Sequence, residues 1–294
     1  MNRLILAAAA VWLVLAAGPA QAAESVTIGF LSWNGPFKGM RQWGATGEYL
    51  AEQLGRPVTV LPLEFHEVLP AVAAGRVDFF TADPAMYLAA SREHGAAAVL
   101  TMKNAEVGTE QIGAALFTAA ENGAVNGLTD LQGRKFGALR RWSFAGWRMA
   151  EKEFLDAGLD AYTWLSTLRF FDTPQAVVKA VLNRQVDAGT LPAGLLEQMA
   201  AAGALRLEDV KILEQKFHPD FPYLCSTLLY PGFPLARTAD ADPELAKQIA
   251  AALKAMPPEH PALLAAGLSG WIDPLNYAGV EQMLGQLKGG RPDQ

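Results

Sequence analysis

KFGALRRWSFAGWRMAEKEFLDAG, residues 135–158, decides how the rest of the chain is read. Lys135–Leu139 forms a short apolar strand. It runs into a turn holding two arginines, Trp142 and Ser143, and then into a helix that stops at Gly158. Ser143 stands where an N-cap belongs. A helix start leaves backbone N–H groups unpaired and carries partial positive charge, which suits an anion. Arg140 or Arg141 would add formal charge and a planar donor fork. The plainer reading of the same residues is a strand–turn–helix with a surface arginine pair.

Working outward, the same strand–helix alternation recurs on both sides. N-terminal to the segment come a strand over residues 26–33, a helix to about Leu54, a strand over 58–63 and a short helix over 66–74. A nearly all-apolar strand over 77–81 follows, then a helix opened by Asp83-Pro84 and a strand over 97–102. The order βαβαβαβ predicts a mostly parallel sheet flanked by helices. A second set runs from a strand over 112–118 through the opening segment. It adds strands over 168–171, 186–190 and 210–214, a helix capped by Thr173 with Pro174 at its first position, and a helix opened by Pro192. Residues 215–235 are rich in aromatics and prolines and lack helical period. They read as a return crossing with a strand near 226–230, and the tail beyond reads as helical over 243–256, 261–267 and 277–288.

Residues 1–22 have the form of a secretory signal. Arg3 supplies the positive region and Ala20-Gln21-Ala22 the small-residue cleavage pattern. The apolar run Leu4–Ala17, about 14 residues, is short against the ~20 that span a bilayer. No cysteine lies near the cleavage pattern, so no lipid anchor is expected, and the mature chain would begin near Ala23 and stay out of the membrane. The net charge of −6 has no long run of one sign, which argues against nucleic acid and against an anionic membrane surface. A single cysteine, Cys225, excludes an internal disulfide, and the four scattered histidines show no metal-ligand spacing. No nucleophile-elbow, zincin, phosphate-loop or dinucleotide motif is present, so neither an enzyme nor a cofactor is expected.

Taken in order, IGFLSWNGP (28–36), AVAAGRVDFFTADPAMYL (71–88), LQGRKFGALRRWSFAGWRMAEKEFLDAGLD (131–160), AVVKAVLNRQVDAGTL (176–191) and STLLYPGFPLA (226–236) give the chain a resemblance. It resembles the phosphonate/phosphite-type periplasmic substrate-binding proteins. Within them it is similar to the version that forms the sensor region of tetrathionate-responsive histidine kinases. The resemblance covers nearly the whole mature chain. It implies a two-lobed type II periplasmic-binding-protein fold, with lobe 1 made of residues 23–112 and 223–294 and lobe 2 of 113–222. Two hinge crossings, at about 110–114 and 221–227, would join them. The implied function is a periplasmic solute-binding protein, expected as a monomer. It would close on a small oxyanion and deliver it to a membrane ABC permease, or else act as a stand-alone ligand-sensing subunit for a histidine kinase. Phosphonate, phosphite, phosphate, thiosulfate and tetrathionate are candidate ligands, as is a small organic acid.

Ligands of open α/β sheets lie outside the carboxyl ends of the strands. On that edge, Ser143, Phe144, Ala145 and Gly146 would present donors to the oxyanion, with Arg141 as charge partner. Thr173 and Thr190 lie on the same edge and also suit purely structural roles. Trp33 and Tyr87 would wall the pocket from the first lobe, although core packing would use them equally well. Lys103 follows a strand end and reads as a surface lysine. Cys225 suits a small buried residue, and as a pocket thiol it would react with a sulfur oxyanion. Sensors of the related kind tend to carry Asn where this chain has Asp83. A carboxylate there must be paired or turned away from the ligand.

Overall fold

Val26, Ile28 and Phe30 fall on one face of the first strand and Leu31 on the other, and both faces are buried in separate apolar clusters. That two-sided burial is what helices on both faces of a sheet impose. The structure, a computed structural model, describes residues 24–33, 35–105 and 109–289; the leader read at 1–22 lies outside them. The first set is β1 (Val26–Leu31), α1 (Gly35–Leu54), β2 (Val58–Leu63), α2 (Val68–Ala73), β3 (Phe79–Thr81), α3 (Pro84–His94) and β4 (Ala97–Asn104). The second set is β5 (Gln111–Ile112), β6 (Ala114–Ala119), β7 (Lys135–Leu139), α4 (Met149–Asp156), α5 (Ala161–Trp164), β8 (Thr167–Phe171), α6 (Pro174–Leu182), β9 (Ala188–Pro192), α7 (Leu195–Ala201) and β10 (Val210–Leu213). The chain finishes with β11 (Tyr230–Pro231), β12 (Pro234–Arg237), α8 (Pro243–Lys254), α9 (Pro261–Ala266), β13 (Leu268–Ile272) and α10 (Ala278–Gly289).

Two sheets result. The first has the order β13-β4-β12-β3-β1-β2 and the second β10-β6-β9-β7-β8. In the first, β1–β4 run one way and β12 and β13 run against them. In the second, β7–β10 run one way and β6 against them. Strand direction is therefore mostly parallel, while many neighbours pair antiparallel. The α/β class holds, and the structure adds β12 and β13, which the helical reading of the tail lacks. Pro192 closes β9 and does not open a helix; α7 starts after Gly194. The strand read near 226–230 shrinks to β11, whose Tyr230 and Pro231 pair with Ile112 and Gln111.

On the first sheet, α1, α8 and α9 cover one face and α2, α3 and α10 the other. Trp43 of α1 stacks on Phe30 with ring centroids 4.5 Å apart. Gly47 lets α1 lie close on β2, because a Cβ there would sit 2.3 Å from Val60 Cγ2. On the second sheet, Phe117, Val177 and Leu196 form one core, and Leu116, Phe136, Trp147 and Phe154 the other. One cluster crosses between the sheets: Phe144, Ala145 and Met149 pack with Leu31, Tyr87 and Val280. The carboxyl ends of β1, β3 and β7 thus converge, and the residues following them build the site.

Leu50 is fully buried between α1 and the first sheet. Leu50→Ala should lower stability by about 2–5 kcal/mol, as a cavity-forming truncation in a packed core does. Chemical unfolding followed by circular dichroism checks this; a loss under about 1 kcal/mol would contradict the packing described.

Candidate functional site

Beyond β7 the backbone turns sharply. Arg140 adopts a left-handed φ of 48°, unusual for a residue with a Cβ. Its N–H bonds Phe171 O at 3.1 Å, and its Nη2 donates to Asp172 O at 3.1 Å. The guanidinium lies over the ring of Trp33, 5.4 Å from the centroid. Trp33 also packs on Phe65 and Phe233. Arg140 and Trp33 therefore face each other between the two halves of the molecule. Arg141 points elsewhere: its guanidinium covers Phe170 at 5.0 Å and Tyr162 at 5.7 Å on the second sheet. The charge partner expected at Arg141 is thus displaced to Arg140, because the left-handed turn sends adjacent side chains to opposite sides.

Ser143 is the helix cap that the sequence suggests. Its Oγ accepts from Gly146 N at 3.1 Å, and its carbonyl accepts from Trp147 N and Arg148 N. The first turn, Phe144–Arg148, is wide, with π-type spacing, before α4 continues it. Gly146 is required there. A Cβ would fall 2.5 Å from Leu139 O and 2.6 Å from Ser143 Oγ.

The donors of this turn already have partners. Gly146 N–H is used by Ser143, and Phe144 N–H donates at 3.0 Å to Oδ2 of Asp83. Asp83 is also the N-cap of α3, where Oδ1 accepts from Met86 N at 2.8 Å. One carboxylate therefore caps two helix starts that belong to different sheets. It is 2 % exposed. Burial pushes its carboxyl up from the ordinary 3.8 to about 6; hydrogen bonds from Met86, Phe144 and Ala85 and the charge of Arg148 pull the other way without prevailing. The sequence condition that Asp83 be paired or turned away is met by pairing.

The other candidates separate. Tyr87 is buried, its hydroxyl accepts from Ala98 N at 3.2 Å, and its ring meets Tyr277 edge-on, so it serves as core and not as pocket wall. Thr173 is exposed and caps α6 through Ala176 N at 3.3 Å, the structural role. Thr190 is fully buried on β9, which packs against the 144–148 turn, and its Oγ1 has no hydrogen-bond partner among the described residues. Lys103 lies in β4 opposite Gly270, away from the site. Cys225 is fully buried, with Sγ 3.4 Å from Thr227 O and 3.6 Å from Ala114 O, so the pocket-thiol reading is corrected to a packed core thiol. No cluster of metal-ligating side chains occurs among the described residues.

Trp142 is 61 % exposed, and Arg148 lies over its ring at 5.6 Å while pairing with Glu151 at 2.8 Å. Both line a cavity of about 480 Å³ together with Phe65, Leu69, Met86 and Arg92 from the first half of the molecule. Arg140, Trp142 and Arg148 were not singled out by sequence, and neither was the second helix that Asp83 caps. Asp83-Pro84 signals one helix start, but nothing local signals a partner that is 61 positions away.

A family model described as the periplasmic substrate-binding protein of a phosphonate ABC transporter matches residues 28–278. The chain belongs to that family. Among curated proteins, this phosphonate-family binding protein is 27 % identical over 266 residues to the tetrathionate sensor histidine kinase TtrS of Salmonella typhimurium. The match covers 89 % of the chain but 43 % of that kinase, so the binding protein spans less than half of its relative's length. Among solved structures it is similar to XAC2383 from Xanthomonas citri bound to ATP, with a TM-score of 0.72 and 16 % identity over 90 % of this chain and 96 % of that one. It is also similar to PhnD1 from Prochlorococcus marinus in complex with methylphosphonate, with a TM-score of 0.70 and 12 % identity over 90 % and 98 % of the two chains. At such identities these two matches establish the fold, that of the two-lobed type II periplasmic binding proteins. Among the described residues, no helix of the binding protein is long and apolar enough to cross a membrane.

The Asp83 shift has a definite sign. Its folded value lies above its unfolded value, so the folded state binds more protons between the ordinary carboxylate range and about pH 6. The stability contributed is complete below that window and is lost as pH rises through about 6. From about pH 4 to about pH 7, wild type should therefore lose about 2–4 kcal/mol relative to Asp83→Asn. Parallel denaturant titrations of the two proteins measure this, and a difference constant with pH would refute it.

Proposed function

We propose that the chain is a periplasmic solute-binding protein that closes on a small oxyanion and passes it to a membrane ABC permease. The observation that carries the reading is the carboxylate of Asp83 seated on the helix start after β7. That start accommodates an oxyanion's oxygen between the halves of the molecule, with Arg140 and Trp33 beside it. Phosphonate, phosphite, phosphate, thiosulfate and tetrathionate are the ligands to try first, with a small organic acid after them. Residues 1–22 would direct export, and the mature chain would act as a monomer, binding its ligand without turning it over.

The proposed lobes are residues 23–112 with 223–294, and 113–222, hinged at about 110–114 and 221–227. Support comes from the pairing of β5 with β11 and from Ser226, which ties the return crossing to β6 through its backbone N–H to Ala114 O at 2.8 Å. A second reading, a ligand-sensing subunit for a histidine kinase, is favoured by the match to a sensor kinase.

A thermal-shift screen with the five oxyanions tests the central claim. Saturation to about a hundredfold over Kd should add about 2.7 kcal/mol to stability. No shift with any of the five would sink it. Within the site, Arg140→Ala should weaken binding about tenfold, while Arg141→Ala should leave it within about twofold, since only the former faces Trp33. Equal losses in the two variants would contradict the placement of the charge.

A further inference from the structure

We propose that Asp83 is a resident competitor for the oxyanion, and that through it the site selects ligands able to share a proton with a carboxylate over fully ionised ones. This rests on the oxyanion reading above and adds a rule for which oxyanions enter.

Three observations lead there. Oδ2 of Asp83 holds the Phe144 N–H at 3.0 Å, the first amide of the helix start that would receive the ligand. Oδ1 is held at 2.8 Å by Met86 N, so the carboxylate is fixed in place by α3. The group is 2 % exposed, so little solvent screens it from a neighbouring charge. A fully ionised oxyanion approaching the same turn meets a like charge in a dry place, which disfavours both. An oxyanion that still carries a proton can donate it to Asp83 in a short O–H···O bond, the strong charge-assisted kind. Protonation of Asp83 reverses the preference, since the neutral carboxyl becomes a donor to an ionised ligand.

The charged and titratable groups around Asp83 do not provide the same switch. Arg148 of the 144–148 turn is paired with Glu151. Tyr230 of β11 packs on Phe144, and Tyr277, before α10, packs on Tyr87 of α3. Burial raises both Tyr230 and Tyr277 and keeps them neutral. Burial likewise raises the Asp83 carboxyl to about 6, which places its change of charge inside an accessible window. His66 lines the neighbouring cavity and is the group to control for.

Isothermal titration of wild type and Asp83→Asn with sulfate, which carries no proton in this range, separates the possibilities. Methylphosphonate, which holds one proton at mildly acidic pH, is the companion ligand. Wild type should bind sulfate at least about tenfold more weakly at about pH 8 than at about pH 5. Asp83→Asn should remove that difference. Its preference for sulfate over methylphosphonate at about pH 6 should rise at least about tenfold. His66→Gln should keep the wild-type pH dependence. Unchanged selectivity and pH dependence in a folded Asp83→Asn that still binds anions would overturn the inference and leave the oxyanion reading standing. Should Asp83→Asn fail to fold, wild type and His66→Gln decide between them. Sulfate affinity flat with pH in wild type, or a pH dependence that disappears in His66→Gln, overturns the proposal. Failure of the folded proteins to bind sulfate, methylphosphonate, thiosulfate or tetrathionate at either pH would bring down the oxyanion reading and this inference together.

Discussion

A single carboxylate joins two helix starts, and much of the site follows from it. Asp83 caps α3 by its own position in the chain and caps the 144–148 turn by contact across the molecule. Hydrogen bonds to a charged acceptor contribute about 1.5–3 kcal/mol each, and a helix start adds about 0.3–1 kcal/mol. Taking an ionised carboxylate out of water costs several kcal/mol, and the direction of the Asp83 shift says that this cost exceeds the donors' contribution. Without the burial, the same backbone donors would hold a carboxylate below its usual range. The pocket is therefore short of neutralising groups around that carboxylate, even with Arg148 acting on it.

Apolar packing is what keeps the bond dry. Phe144 and Met149 are buried in the cluster that α2, α3 and α10 form against the first sheet, and the Phe144 ring meets Tyr230 of β11 edge-on at 5.5 Å. Lower down, Lys216 in the return crossing donates to Glu153 of α4 at 2.5 Å and to Ser226 O at 2.9 Å, fastening α4 to the crossing. The helix that starts the site is thus held along its length by both halves of the chain. The amide of Phe144 cannot rotate toward solvent without carrying a buried aromatic ring with it.

Much of this arrangement is legible in the residues. The alternation that sends Phe79 to one core and Phe80 to the other marks a strand buried on both faces, and Pro84 and Pro174 mark helix starts where the structure has them. What escapes is set by distant contacts. PLAR at β12 and LSGWI at β13 are too short to show a period, and they become strands because β3 and β4 offer them edges. The choice between Arg140 and Arg141 depends on a left-handed φ at a residue type that seldom adopts one, so no local signal favours either. Asp83 shows the limit most directly: its first cap is written in the adjoining proline, while its second is made by folding.

Thr190 shows why the floor of the site differs from an ordinary core. It pairs across from Leu116, so both side chains lie on the sheet face that carries Trp147 and Ala150. A buried hydroxyl without a partner costs about 1–3 kcal/mol, whereas valine would fill the same space with no polar atom. The buried Thr118 of the neighbouring strand avoids that cost, because its hydroxyl donates to Asp187 O at 2.6 Å. The unpaired hydroxyl and the insufficiently neutralised carboxylate thus lie on opposite sides of the same turn, one on the strand beneath it and one on the helix cap that meets it. Cores as tightly packed as those on either side of the second sheet tolerate few such groups, and here two of them border five residues, 144–148. Polar atoms left this poorly compensated destabilise the fold, so packing alone gives no reason for these two residues to be polar; a role in binding at this turn does.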